Sequence, residues 1–420
     1  MSPARPTVTV VGRSLDPDHH RLRDFLTRIA QPYEFLEAGS AAAAEVIAKR
    51  GLAGAELPVL VDGEAVHAGV TVASLAEAWD LSSPPRRRHY DLVIVGAGPA
   101  GLGAAVYAAS DGLSTLVVEL DVPGGQASHT SLIENFFGFP DGIGGAELAR
   151  LAGRQAERFG AELVLLRAVV GGGFDHARHP TLELDGGYVV TADVALAAPG
   201  MVWRRLDVDG VPELLDRGVY YGAGRSEAAR CGGDDVIVVG AGNSAGQAVL
   251  NLADVGARVT MVVRGDSLAA RMSAYLVQRI ERHPLIELRL RSRIEELHAD
   301  GDQLAAVTIA DASGSSERRP ARAVFLCLGG EPRTGWAAEA GVRVNEAGYV
   351  VTGPDLLEDG RRPAGWPLDR DPLTLETSVP GLFAAGDVRS GSTKRVAGAV
   401  GEGAMAVALV HRRLQELAAA

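Results

Sequence analysis

Residues 91–101, DLVIVGAGPAG, run a short apolar stretch straight into a glycine turn, and an alanine-rich stretch of helical composition follows. Four consecutive apolar residues, Leu92 to Val95, have the pattern of a strand covered on both faces. The spacing Gly96-x-Gly98-x-x-Gly101 then supplies the tight turn, the close backbone approach and the helix–strand contact that a bound pyrophosphate requires, with Pro99 and Ala100 opening the helix. The same unit returns as DVIVVGAGNSAG over 235–246, with Gly240, Gly242, Asn243, Ser244 and Ala245 in the turn, 144 positions after Gly96. One strand–turn–helix unit used twice predicts an α/β chain with two nucleotide-binding folds.

The two copies differ where their second strands end. Glu119, 23 positions after Gly96, is a carboxylate suited to a ribose diol, as in FAD or NAD. Arg264, 24 positions after Gly240, is a cation suited to a ribose 2′-phosphate, with Arg271 as a second candidate, so NADPH is expected there in preference to NADH. Further on, the apolar strand LFAAGD ends at Asp387, whose carboxylate can accept a flavin ribityl hydroxyl. A helix is predicted from Val396 to the end of the chain, with its positive end available to the pyrimidine edge of a flavin.

With 420 residues the chain has room for about three compact units. An excess of 53 Asp+Glu over 41 Lys+Arg argues against a nucleic-acid partner. No apolar run approaches the roughly 18 residues of a membrane helix, and the start has no signal-peptide pattern, so a cytoplasmic protein with no membrane partner is expected. Only Cys231 and Cys327 occur, 96 positions apart, which leaves no Cys-x-x-Cys and no metal-ligand spacing, so no metal site is expected. Cys327, inside AVFLCLGG, reads as a core residue, whereas Cys231 lies in a Gly-Gly loop with room for exposure.

Before the first glycine turn, the first 83 residues read as strand, helix, strand, helix, two strands around Asp62-Gly63, and a helix. Asp16 is placed as an N-cap with Pro17 at the first helical position, and His19 and His20 as solvated residues of that helix. Residues 84–89, rich in proline and arginine, read as a linker.

From Tyr90 onward the chain resembles the low-molecular-weight thioredoxin reductases, through GAGPAG at 96–101, PGGQ at 123–126, IENFFGFP at 133–140, GAGNSA at 240–245 and AAGDV at 384–388. The resemblance implies two Rossmann-like three-layer domains: an FAD domain split into 90–204 and 330–420, and an NADPH domain over 205–329. It also implies a homodimer and hinges near Trp203–Asp207 and Gly329–Arg333. Carried over residue by residue, Gly125, Gln126 and Asn135 join Gly96, Gly98, Gly101, Glu119 and Asp387 as FAD contacts. Lys394, Arg395 and Val396 fall where the family presents backbone amides to the flavin. Residues 1–83 resemble more loosely a thioredoxin or glutaredoxin domain, with Leu57-Pro58 in the place of that family's cis-proline and Asp16 to His19 in the place of its dithiol.

The chain departs from the family at GAGR. Gly222 to Arg225 stand where the resemblance places the redox Cys-x-x-Cys, and a disulfide reductase needs one thiolate to attack and one to resolve. The main expectation is therefore an FAD- and NAD(P)H-linked oxidoreductase whose reduced flavin serves a small-molecule or protein acceptor directly, with Arg225 facing the flavin as a fixed cation. Two alternatives stand beside it: a non-catalytic flavin-binding sensor or interaction protein, and a thioredoxin-disulfide reductase that uses only its partner's cysteines.

Overall fold

The computed structural model describes residues 6–175, 179–222 and 225–419; Ala223, Gly224 and the side chain of Arg225 lie outside that set. The N-terminal segment comprises β1 (Val8–Gly12), α1 (Pro17–Arg28), β2 (Tyr33–Glu37), α2 (Ala41–Lys49), β3 (Val59–Asp62), β4 (Ala65–His67) and α3 (Val72–Ala78). Its four strands lie in the order β2-β1-β3-β4; β2 runs parallel to β1, while β3 and β4 form an antiparallel continuation. Asp16 caps α1 as expected, accepting from the amides of Asp18 and His19, and the Leu57–Pro58 peptide is cis.

One reading of this segment fails. His19 and His20 are only 4% and 7% exposed. The His19 ring turns back on the loop before the helix, where Nδ1 accepts from the Arg13 amide at 2.8 Å. His20 is covered by residues of a distant part of the chain, a tertiary contact that helical periodicity cannot announce.

The chain continues through β5 (His89–Val95), α4 (Pro99–Ser110), β6 (Thr115–Val118), α5 (Gly145–Phe159), β7 (Glu162–Val164), β8 (Val169–Phe174), β9 (Pro180–Leu184), β10 (Tyr188–Ala197) and β11 (Met201–Trp203). The next segment holds α6 (Val211–Leu214), β12 (Val219–Tyr221), α7 (Arg225–Ala228), β13 (Asp235–Val239), α8 (Asn243–Asp254), β14 (Arg258–Val262), α9 (Ala274–Arg282), β15 (Ile286–Arg289), β16 (Ser292–Asp300), β17 (Gln303–Asp311), β18 (Ser316–Pro320) and β19 (Ala323–Leu326). It returns by β20 (Gly330–Pro332), which pairs with β11, to β21 (Leu382–Ala384) and the long α10 (Val396–Ala419).

Two compact units result. One gathers Met1–Trp79, His129–Leu132 and Trp203–Gly329; the other gathers Asp80–Ser128, Ile133–Val202 and Gly330–Ala420. The sequence reading separated the N-terminal segment from the 205–329 segment, whereas the structure groups them.

In the second unit the sheet runs β7-β6-β5-β10-β9-β8, with β21 also pairing with β10. Its parallel centre is buried on both faces, which is why Leu92, Val93 and Ile94 follow one another without a polar residue. Helices α4 and α10 approach through small residues: a Cβ on Gly403 would lie 2.1 Å from the Ala100 carbonyl oxygen, and one on Gly103 would lie 3.0 Å from that of Val400. In the first unit a wholly parallel sheet, β12-β19-β13-β14-β15, is accompanied by an antiparallel ribbon, β16-β17-β18.

Candidate active site: two glycine cradles and a buried charge cluster

In the second unit, β5 delivers the chain to Gly96 at φ +106°, and a Cβ there would lie 2.3 Å from the Ala198 carbonyl oxygen. Gly101 is tighter still, since its Cβ would meet the Gly96 oxygen at 1.8 Å. A Cβ on Gly98 would meet nothing within 4 Å, so open space stands before the start of α4. The PGGQ loop closes on this turn: the Gly124 amide donates to the Ala97 carbonyl at 2.7 Å, and Gly125 approaches Gly98. Gln126 donates from Nε2 to the Met201 carbonyl at 2.9 Å.

Glu119 follows β6 and is drawn under the same turn, accepting from the amides of Ala97 at 2.6 Å and Asp121 at 3.0 Å. Burial raises its pKa above the ordinary carboxylate value, and the two amide hydrogen bonds only partly oppose that. Each Glu119 oxygen keeps a lone pair able to accept from a hydroxyl. Asp387 sits in a single 3-10 turn, Gly386–Val388, just beyond β21 rather than in the strand itself. Burial raises its pKa too, against the nearby Lys394 charge. The ammonium of Lys394 donates to the Asp387 carbonyl at 2.5 Å and lies 4.1 Å from the centre of the Tyr349 ring. Arg395 is exposed, Val396 is half-buried at the first position of α10, and Asn135 is exposed.

The second cradle repeats the geometry within the first unit. Gly240 has φ +150°, its Cβ would lie 2.4 Å from the Cys327 carbonyl oxygen, and a Cβ on Gly242 would meet nothing within 4 Å. Asn243 turns its side chain to Ser273, donating to Oγ at 2.9 Å and accepting from the Ser273 amide at 2.8 Å, so its amide fixes the start of α9. Ser244 is exposed and Ala245 is buried. Arg264 and Arg271 both reach solvent, whereas the neighbouring Val262, Val263 and Met272 are buried.

The profile of the family described as pyridine nucleotide-disulphide oxidoreductase matches residues 90–403. A thioredoxin reductase of Bacillus subtilis is 32% identical over 331 residues, covering 78% of this chain and 96% of that protein. The crystal structures of thioredoxin reductases from T. acidophilum and Lactococcus lactis are 28% and 29% identical, with a TM-score of 0.68 for each, and match 78% of this chain and 99% of theirs. The chain belongs to the pyridine nucleotide-disulphide oxidoreductase family. It is an oxidoreductase of the thioredoxin-reductase-like type, a family that uses FAD and NADPH.

In this oxidoreductase β12 ends at Tyr221, and the amide of the next residue, Gly222, donates to the Leu326 carbonyl at 3.0 Å. Arg225 begins α7, but the expectation that its side chain faces the flavin lies outside the described residues. Both thiols are inert by environment. Cys327 is buried, and Cys231, whose Gly-Gly loop left room for exposure, is 2% exposed and donates to the Glu227 carbonyl at 3.4 Å. Glycines flank Cys231 on one side only; Ala228 and the core under β13 close over the other. Burial pushes both thiols up to about 12. Among the described residues no group of His, Cys, Asp and Glu could hold a metal ion.

The sequence reading missed two sets of residues. One is Glu402, which accepts from the Gly386 amide at 2.7 Å and pairs with Arg389 at 2.7 Å, steadying the turn that carries Asp387. It was findable as the single charged residue between Val396 and Val410. The other is the cluster around Glu227. Arg23 donates to Glu227 Oε1 at 2.6 Å, and His20 Nδ1 lies 3.0 Å from the same oxygen. The other ring nitrogen of His20 lies 3.5 Å from Asp216 Oδ1. Burial works to raise the pKa of Glu227, but the His20 hydrogen bond and the Arg23 charge prevail and hold it at about 2.

Proposed function

We propose that this oxidoreductase takes electrons from NADPH and delivers them through FAD to an acceptor outside the chain, with no dithiol relay of its own. The observation that carries the reading is the thiol inventory: two cysteines, each buried, and none at 222–225. The residues of the second unit fit FAD. Open space before α4 and the amides at its start suit a pyrophosphate, and the half-buried Glu119 carboxylate suits the adenosine ribose diol. Asp387 would take a ribityl hydroxyl, with Lys394 and Glu402 positioning its turn. Gly125, Gln126 and Asn135 would border the ring, and the amides at Lys394, Arg395 and Val396 would meet its carbonyl edge. FAD, when bound, supplies the two-electron centre that accepts a nicotinamide hydride.

In the first unit, Gly240, Gly242, Ser244 and Ala245 would cradle the NADPH pyrophosphate. Arg264, helped by Arg271, would pair with the 2′-phosphate. Asn243 serves this site through Ser273 rather than by direct contact. The acceptor is a small molecule or a redox protein, and the working assembly is a homodimer.

The N-terminal segment is read as a thioredoxin-like domain without its dithiol. Its support is the order β1-α1-β2-α2-β3-β4-α3, the parallel β1–β2 pair and the antiparallel β3–β4 pair. The test of the whole reading is anaerobic titration of the flavin-loaded protein with NADPH and, in parallel, NADH. Bleaching of the flavin band by NADPH, followed by turnover with a quinone or ferricyanide but not with oxidised thioredoxin, is the expected result. A flavin that stays oxidised under NADPH would overturn it.

A further inference from the structure

Helix α1 and the segment Asp216 to Arg230 belong to one compact unit and meet through buried charge. The Arg23 guanidinium is 1% exposed; it donates to Glu227 Oε1 at 2.6 Å and to the Ser14 carbonyl at 2.8 Å. His20 is held between Glu227 and Asp216 and lies 4.8 Å, centre to centre, from the Tyr220 ring. From the other side Arg230 reaches back: it lies 5.1 Å from the centre of the Phe35 ring, which also carries Arg23 at 4.6 Å, and 3.4 Å from Glu37 Oε2. Among the described residues the cluster is also bordered by Arg21, 3.5 Å from Asp216, and by Asp24 on the next turn of α1, which lies 3.9 Å from His129 Nδ1.

The position of this contact matters more than its strength. Glu227 lies two residues beyond 222–225, where the family resemblance puts a redox dithiol, and α1 begins where a thioredoxin-like domain would carry its own. A surface used for thiol exchange has to open and close. Here neither flank carries a dithiol, and the two are joined by a desolvated guanidinium–carboxylate pair, the kind of pair that is costly to separate because each partner would be left as a lone charge. We propose that the N-terminal domain is a resident cap: α1 permanently occupies the face made by Tyr220 and Glu227, which flank 222–225 in the sequence, and keeps separate thioredoxin-fold proteins from docking there. The cap deepens the proposed function, since it leaves the flavin, not this face, as the exit for electrons.

The test is hydrogen exchange on the uncut, full-length protein without added nucleotide. In the wild type, peptides covering 17–28 and 219–231 exchange slowly and together. Glu227→Gln or Arg23→Met raises exchange in both peptides by about a hundredfold, the scale for breaking a buried pair, and leaves the β13–β14 peptides unchanged. Arg21→Ala, whose side chain is 61% exposed, leaves all of them unchanged. If the buried substitutions fail to fold, Arg230→Ala at the rim gives the same paired response at smaller size.

A second arm adds oxidised thioredoxin to the wild type; protection of 219–231 would overturn the cap. So would fast exchange in α1 of the wild type, or a Glu227→Gln response confined to 219–231. None of these readings needs flavin reduction, so a failed NADPH titration and a failed cap are told apart.

Discussion

The two glycine turns use one backbone device with different tolerances. At Gly96 and Gly240 a side chain would strike the carbonyl of the neighbouring strand's exit, 2.3 Å away in one case and 2.4 Å in the other. At the third position they part: Gly101 has no room for a methyl group, whereas the second turn already carries Ala245. The turn itself is therefore common property, and under the proposed function the choice of ligand falls to the side chain after the next strand. The sharpest way to break the comparison is Gly101→Ala, which should strip the protein of flavin by more than tenfold and lower its stability by about 3 kcal/mol. Gly240→Ala should leave flavin content intact and abolish reduction by NADPH. Ala245→Gly, the reverse change in the tolerant turn, should cost only about 1 kcal/mol. Absorbance of the purified variants and urea unfolding check all three.

Two desolvated carboxylates, the buried Glu227 and the half-buried Glu119, extend the contrast to pH. Glu227 is held at about 2 by Arg23 and His20. Its ordinary value is about 4.3, so its contribution is complete above that pH and is lost as pH falls toward 2, a change of about 3 kcal/mol. Glu119 is shifted the other way by burial, so its folded form holds a proton more readily than its unfolded form. Its contribution is present below the ordinary carboxylate value and fades as pH rises through the raised one. Urea unfolding across the acid range should show Glu227→Gln flattening the limb below pH about 4. Glu119→Gln should instead stabilise the flavin-free protein at neutral pH while weakening FAD binding.

What the sequence disclosed follows the range of each interaction. The strand–turn–helix units, the Asp16 cap and the α10 helix are written in neighbouring residues, and the structure contains them. Glu119 could be placed beside the first turn because one helix and one strand fix its distance from Gly96, and the structure has it on the Ala97 amide; Arg264, at the corresponding distance from Gly240, is exposed, and its role belongs to the proposal. His20, Arg23 and Glu227 were not: more than 200 positions separate Arg23 from its partner, and a histidine on a polar helix face looks solvated until another element covers it. The burial of Cys231 was left open by the sequence for the same reason, since neighbouring glycines describe a loop but not what packs over it.

Smaller effects refine the ligand assignment. Arg264→Ala should raise the KM for NADPH about tenfold, as expected for one lost charge-assisted contact, and leave the KM for NADH unchanged; Arg271→Ala should do the same more weakly. Equal losses with both coenzymes would move Arg264 out of the 2′-phosphate site.

The weakest expected effect is also the most direct check on a relay without sulfur. With both thiols pushed up to about 12 by burial, the thiolate fraction at pH 8 falls to about one in ten thousand. Native protein should therefore show no titratable thiol with an aromatic disulfide reagent, and denatured protein two. Cys231→Ser loses only a thiol donor to the Glu227 carbonyl and Cys327→Ala only one to the Gly222 carbonyl. The double variant should keep its flavin and its turnover with a quinone within about twofold, the span of a change under 0.5 kcal/mol. If turnover collapsed while flavin content held, one of these buried sulfurs would have to carry electrons, and the cradle that touches Cys327 would differ from the other in chemistry as well as in ligand.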